Sequence, residues 1–419
     1  MSHRDRLLDL LQSHGPLSSA AVQRELGISR PTLSRLMRDT EGEILRLGQT
    51  RRVRYAAPRR IEGLPEVIPV SRVDEDGRAH AHGRIRPLEP GEWAWEGEDG
   101  ELRISTGLPR EVRDLLGDGF MPTATSDDEA AGLKWLIASG EDLAGNLLVG
   151  DEALARFLAL APETRGMDEL PALAREAEQG RFQAGSLDGH WPKFTAWMEN
   201  HQILVKFARL NDHPANTRQA DLLVAELLAL ETLRGLGIDV PPARIIDREG
   251  YRFLALSRFD RVGRLGRRAV IRLGQVGGKG VDPEDWRASA TAMKRAKRLG
   301  DADAERIQLM SHFAALIGNN DAGGDNLAFF PGEDDRLSLA PAYDMLPMAA
   351  APDADGRLPE ALPPLPMPAS GELENWRRAA TAAADYWARL ANEKRLSFDF
   401  RKLAAAQGKV IGERLQRLG

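Results

Sequence analysis

Between residues 311 and 346 the chain reads SHFAALIGNNDAGGDNLAFFPGEDDRLSLAPAYDML. An apolar helical pattern stops at Gly318, and a polar loop of Asn, Asp, Ala and Gly spans 319–326. Two short apolar runs, 327–330 and 337–340, flank the turn segment 331–335, and Asp344 follows the second run. Asp321, Asn326 and Asp344 are hard oxygen donors whose order suits phosphoryl transfer. In such chemistry one carboxylate orients the substrate hydroxyl, an amide five residues on holds a metal ion, and an Asp beyond a hairpin holds metal that bridges the phosphates. A hairpin brings its two ends together, so residues far apart in sequence can share one ion. Taken alone, Asp-x4-Asn is a short pattern, and a loop of Asp, Asn and Gly also suits an ordinary turn.

Such a loop needs a cation opposite it, and the sequence offers one upstream. The run 203–207 reads as a strand with Lys206 inside it. Burying an ammonium alone is costly, so it needs a carboxylate or phosphate oxygens. The helical pattern over 220–236 carries Glu226 within LLVAELLAL. A strand lysine paired to a glutamate on the next helix is the other half of a protein-kinase arrangement. Each residue alone has a plainer reading: Lys206 reaching solvent, Glu226 on an exposed helix face. Before the strand, 185–194 is a polar, glycine-containing turn (GSLDGHWPKF). After it, the strand 251–256 ends in Ser257-Arg258-Phe259-Asp260-Arg261, a natural hinge between lobes, where Arg258 and Asp260 also suit a structural ion pair.

Composition frames these elements. The 419 residues are 42% hydrophobic and 29% charged, with net charge −6 and no cysteine. This excludes disulfides, thiolate metal sites and a cysteine nucleophile. No apolar run approaches a membrane span and the first residues lack a signal-peptide core, so a cytoplasmic protein without a membrane partner is expected. Charge is uneven: residues 1–60 hold twelve Arg against six Asp/Glu, a balance of +6, and the other 359 residues then carry −12. A small basic head on an acidic body suggests nucleic-acid binding.

The head reads as a winged helix-turn-helix over 1–57. A helix over 4–13 is broken by Gly15-Pro16, a second runs to Leu26, and Gly27-Ile28-Ser29 turns into a third over 30–39 with Pro31 in its first turn. Two short strands, 44–47 and 53–56, bracket Gly48-Gln49-Thr50-Arg51-Arg52 as a wing. In this motif the second helix of the pair enters the major groove by its N-terminal residues. Arg30, Thr32, Ser34 and Arg35 are therefore the candidate DNA contacts, with Arg51 and Arg52 on the wing. A winged helix serving as a protein–protein module is the alternative.

Residues 58–65 look like a linker, and 67–104 like a small antiparallel β unit followed by helical segments at 111–116 and 129–138. His80 and His82 lack further ligands nearby and read as solvated or packed. Past Asp344 come a Pro-rich stretch (349–369) and two helical patterns, 372–392 and 398–418, in which Trp376 and Trp387 read as packing residues. The expected fold is α+β: the winged helix, an N-terminal kinase lobe with a β subdomain over 66–256, and a helical C-terminal lobe over 257–419.

With Lys206, Glu226, RFDR at 258–261, the LIGNND loop and PAYDML, the chain resembles the HipA family of bacterial serine/threonine kinases, the toxins of HipBA-type toxin–antitoxin modules. The resemblance covers roughly residue 67 to the C-terminus. It is nearest the YjjJ-like branch, whose members carry their own N-terminal helix-turn-helix domain. It implies a two-lobed kinase-like body using ATP and Mg2+. Asp321 would be the catalytic acid/base, and Asn326 and Asp344 the metal ligands. ATP contacts would come from Ser186, Gly189, Lys193, Lys206, Glu226, Arg258, Phe259 and Tyr343. Ser186 falls where family members carry an autophosphorylated serine. Implied partners are promoter DNA, a protein substrate such as a translation component, and a second copy of the chain. Three positions depart from the family pattern: Gly323 where a histidine is common, the altered glycine loop with Asp188, His190 and Trp191, and Ser257 before RFDR. The altered loop and Gly323 favour the alternative reading, a transcription regulator whose impaired kinase-like body senses a ligand.

Overall fold

The structure, a computed structural model, describes residues 2–40, 42–48, 53–116, 126–161, 163–179, 192–199, 201–359, 361–365, 367–368 and 371–418. It divides into two compact units, residues 1–161 with 185–189, and residues 162–184 with 190–419.

In the first unit the basic head builds α1 (His3–His14), β1 (Leu17–Ser18), α2 (Ser19–Leu26), α3 (Arg30–Asp39), β2 (Leu45–Leu47) and β3 (Arg54–Ala56). The helix starts follow capping chemistry. Ser18 accepts from the Ala21 N–H at 3.2 Å and Ser29 from the Thr32 N–H at 3.3 Å, satisfying donors a helix start leaves unpaired. Gly27 ends α2 in the left-handed conformation. Leu7, Leu11, Val22, Leu26 and Leu33 make the head's core. The three strands pair antiparallel in the order β1-β3-β2; the sequence signalled β2 and β3, whereas β1 is only two residues long.

A five-stranded antiparallel sheet follows: β4 (Ile68–Val73), β5 (Ala79–Leu88), β6 (Glu92–Gly97), β7 (Leu102–Ser105) and β8 (Leu147–Val149), ordered β7-β6-β5-β4-β8. It is accompanied by α4 (Arg110–Arg113), α5 (Ser126–Ser139) and α6 (Asp151–Ala159). Trp93 and Trp95 anchor its core with Leu133 and Leu136 of α5. Gly83 is required beneath Trp95, since a Cβ there would lie 2.6 Å from the indole. Glu129, the first residue of the helical segment read over 129–138, is buried and accepts from Trp93 Nε1 and the Leu108 N–H, both at 3.1 Å. His80 pairs with Asp74 at 2.7 Å and His82 packs edge-on against Trp95. The boundary between the units falls inside the span 66–256 expected as one lobe, because the sheet around Trp93 and Trp95 closes a core of its own.

The second unit comprises α7 (Leu170–Glu178), β9 (Lys193–Met198), β10 (His201–Arg209), α8 (Pro214–Gly235), β11 (Ala243–Arg248), β12 (Tyr251–Ser257), β13 (Arg261–Val262), β14 (Gly266–Arg267), β15 (Ile271–Arg272), α9 (Trp286–Arg295), α10 (Asp301–Ile317), β16 (Ala328–Pro331), β17 (Leu337–Leu339), α11 (Leu373–Asn392) and α12 (Phe398–Leu418). Strands β11-β12-β10-β9 form an antiparallel sheet. Alternation along β10 sends Ile203, Val205 and Phe207 to a core shared with Leu170 and Leu173 of α7, while Ala208 joins the core of α8. Helix α8 is apolar on every side, as a helix buried all round must be, and Leu222 to Leu230 are all buried, Glu226 included. Helices α10, α11 and α12 complete its surroundings, with Trp376 and Trp387 fully inside. Among the described residues no helix is long and apolar enough to cross a membrane.

Candidate active site

Two charged residues sit where the fold can least tolerate them unpaired. Lys206 lies on the α8-facing side of β10, flanked by apolar neighbours, and Glu226 lies in the buried middle of α8. They resolve each other: Lys206 Nζ donates to both Glu226 oxygens at 2.7 and 2.8 Å. It also donates to the Asp344 carboxylate. The lysine and glutamate side chains are 6% and 0% exposed, while Asp344 is 31% exposed.

One cation thus faces two carboxylates. Burial opposes the charge on Lys206, but Asp344 and Glu226 outweigh it and hold the ammonium firmly protonated. Burial also opposes ionisation of Asp344, yet Lys206 and Lys193 prevail and keep its carboxyl below the usual range. For Glu226 burial wins and its carboxyl is pushed up, with Asp344 adding repulsion. Lys193 contributes because β9 pairs with β10 in the register Lys193↔Lys206.

The hairpin that returns the chain to Asp344 is the one read from the sequence. Strands β16 and β17 pair antiparallel with Phe329 opposite Leu339, and β15 adds Ile271 opposite Phe329. Asp344 itself adopts φ 49°, a left-handed backbone that Asp tolerates better than most residues.

Before the hairpin, Gly318 caps α10 at φ 77° and the chain enters the polar loop. Its hydrogen bonds run inward. Buried Asn319 accepts from the Asp321 N–H at 3.2 Å and donates to the Asp344 carbonyl at 3.3 Å, so one side chain ties the loop to the hairpin's far end. Asn326 Nδ2 donates to the Asp321 carbonyl and lies 3.4 Å from Asp321 Oδ2. Asp321 is exposed. Tyr343 OH donates to the Asp325 carbonyl at 2.6 Å, and Arg272 reaches Asp325 Oδ1 at 3.4 Å. Burial raises the Tyr343 phenol well above its ordinary value. Trp286, almost fully buried, donates its indole N–H to the Gly323 carbonyl at 2.9 Å. Gly324 has no room for a side chain, since a Cβ would lie 2.8 Å from Pro283 Cβ and 2.9 Å from Gly274 N.

The structure therefore joins Lys206, Glu226 and Asp344 directly, and Asp321 and Asn326 to Asp344 through Asn319. Phe259 stacks 5.7 Å from Tyr343 and 6.1 Å from Phe330. Arg258 and Asp260 form the ion pair weighed from sequence, a buried two-point contact at 3.0 and 2.9 Å, and Arg261 adds a third bond to Asp260 at 2.7 Å. Ser186 and Gly189 lie outside the described residues, as do Arg51 and Arg52. On α3, Arg30, Ser34 and Arg35 are exposed, whereas the Thr32 hydroxyl is engaged with Ser29 Oγ at 2.9 Å. Sequence reasoning passed over Asn319, Trp286, Pro283 and Gly274. Only the doubled Asn at 319–320, ahead of the Asp, hinted that one amide serves the loop itself.

Among the described residues no group of three His, Asp or Glu could hold a metal ion unaided.

Comparison with known proteins gives this geometry a lineage. Residues 185–411 match the HipA-like C-terminal domain, and residues 64–135 match the middle domain of YjjJ-like toxins. The toxin YjjJ of Escherichia coli (strain K12) is 30% identical over 443 residues, spanning 99% of each chain. The chain belongs to the HipA-like family, in its YjjJ-like branch. Its fold is similar to that of HipA from a Shewanella oneidensis MR-1 toxin–antitoxin system, solved with HipB and its operator DNA. That overlap has a TM-score of 0.55 at 17% identity, over 81% of this chain and 95% of the other.

Proposed function

We propose that this HipA-like protein is a toxin-type serine/threonine kinase that transfers the γ-phosphate of ATP to a hydroxyl on a partner protein. The observation that carries this reading is the contact of one strand-borne ammonium with both a helix glutamate and the aspartate beyond the hairpin. In phosphoryl transfer such a lysine is oriented by the glutamate and presented to phosphates.

ATP with Mg2+ would supply the transferable group and neutralise its charge. The donor set suits that ion. Asp344 and Asn326 are hard oxygen donors, and Mg2+ is commonly held by one or two carboxylates plus substrate phosphates instead of a full protein cage. In this reading Lys206 turns from Asp344 toward phosphate while Glu226 keeps its hold. Asp321, exposed beside Asn326, accepts the substrate hydroxyl proton. Lys193 covers the phosphates; Phe259 and Tyr343 border the nucleotide, and the Arg258–Asp260 pair stiffens the hinge beneath it.

The head is proposed to be a winged helix that binds promoter DNA through Arg30, Ser34, Arg35 and the wing arginines, and so regulates its own transcription. The three helices with a β1-β3-β2 sheet support this. The second reading, a transcription regulator with an impaired body, is favoured by Gly323, which offers no side chain where the resemblance implies a histidine.

Incubation with labelled ATP, Mg2+ and a cell extract, wild type against Asp321→Ala, tests the kinase. Labelling confined to the wild type is expected; equal labelling overturns the assignment. For the head, promoter binding should weaken linearly in log–log form with salt, and Arg30→Ala with Arg35→Ala should weaken it further. Unchanged affinity would remove α3 from the DNA interface.

A further inference from the structure

Within the second unit a pocket of about 750 Å3 opens between the glycine segment 277–280 and α9, apart from the Lys206 site. Its floor is one face of α9, where Ala288 and Ala292 lie four residues apart, continued by Ala296 at the helix's C-cap. Gly280 backs onto that face, with room for a Cβ 3.5 Å from Ala292. Three cations line the walls, Lys279, Arg287 and Arg295. Two carboxylates are also present, and both are engaged: Asp285 caps α9 through the Arg287 and Ala288 N–H groups at 2.9 and 3.0 Å, and Glu372 pairs with Arg287 at 2.6 Å. Lys279 and Arg295 are exposed, and no described residue offers either a carboxylate.

The pocket is also wired to a buried group that lacks a partner. His312 is 5% exposed, and its Nε2 has no hydrogen-bond partner among the described residues although it lies 3.9 Å from Glu372 Oε2. Burial, helped by Arg287, keeps this imidazole below its ordinary range and so neutral. Glu372 therefore has a second donor in waiting should Arg287 be drawn away.

We propose that this pocket docks an acidic segment of the protein substrate. Asp or Glu side chains meet Lys279 and Arg295, and a further carboxylate takes Arg287 while Glu372 turns to His312. The floor of alanines lets a peptide backbone approach closely. None of the lining residues is aromatic, so a nucleic acid would find no surface on which to stack a base. The pocket is tethered to the phosphotransfer loop: the first residue of α9, Trp286, holds the Gly323 carbonyl at 2.9 Å, two residues from Asp321. A chain held on α9 is thereby delivered beside that loop. The proposal deepens the kinase reading and rests on it for the identity of the docked chain.

The test measures binding without ATP, so it succeeds or fails separately from phosphate transfer. A fluorescein-labelled hexaglutamate peptide is titrated with full-length protein by anisotropy, beside hexalysine and single-stranded oligo-dT. Wild type is compared with Lys279→Glu/Arg295→Glu and the milder Lys279→Gln/Arg295→Gln, neither of which touches the Lys206 site or the basic head. Expected is saturable hexaglutamate binding, weakened about tenfold or more, or roughly 1.4 kcal/mol, by charge reversal and less by the glutamines, with hexalysine inert. Equal affinity for wild type and both variants overturns the proposal, as does absence of hexaglutamate binding. So does oligo-dT binding that is tighter than the peptide's and lost in the same variants.

Discussion

Lys206 and Glu226 are 6% and 0% exposed and locked by two bonds, whereas Asp321, on the other side of the same site, is exposed and held mainly through its backbone. The strand–helix side had to bury charge, because β10 and α8 lie inside the core, and it did so by pairing. The loop side kept its carboxylate wet and spent its hydrogen bonds on fixing backbone, through Asn319, Trp286 and Tyr343. A buried ion pair is costly to break from one side, whereas a wet carboxylate contributes little to stability. Rigidity on one side and availability on the other are what the proposed phosphoryl transfer would require.

The contrast breaks most severely at Lys206. Lys206→Met leaves Glu226 opposite Asp344 without the ammonium that bonds both and should cost roughly 3–5 kcal/mol, read as a lower urea midpoint at unchanged slope. A loss below about 1 kcal/mol would mean that the pair is solvated. On the loop side Trp286→Phe keeps an aromatic ring and removes one of two donors from the Gly323 carbonyl, which retains the Asn326 N–H at 3.2 Å, a loss of about 0.5–1.5 kcal/mol for the hydrogen bond. Amide exchange in 319–326 should rise more than in α8, and a uniform rise would deny the tether. The smallest effect is at a surface pair, which sharpens the comparison. Glu393 accepts from Arg395 N, Nε and Nη2 at 3.0, 3.0 and 2.8 Å, which hold its carboxyl at about 2 instead of 4.5. Because the folded value is depressed, this stabilisation is complete above about pH 4.5 and fades as pH falls toward 2. Glu393→Gln should flatten that part of the stability–pH curve slightly; superimposable curves would leave the pair without a role.

Much of this could be read from residues alone. Gly15-Pro16 and the turn Gly27-Ile28-Ser29 marked the breaks between the head's helices. The hairpin between Asp321 and Asp344 followed from two apolar runs around a turn. Lys206 and Glu226 stood out because a charge in an apolar run demands a partner. Harder to read were Trp286 and Pro283, which serve the loop from some forty residues away, and Glu129, which looked like a helix start and instead pairs two buried donors.

By itself the sequence determined the elements and their charged exceptions, since period, caps and turn residues act over a few positions. It also determined the family, through the motifs that recur in HipA-like chains. Only the tertiary structure decided which partner each charge takes: that Lys206 meets Asp344 as well as Glu226, that Arg258 closes on Asp260, and that Asn319 joins the loop to the hairpin's end. Pairing across 138 residues, as between Lys206 and Asp344, depends on how packed layers bring strands and loops together. Desolvation sets the energy of each pair, and it exists only once the core has closed.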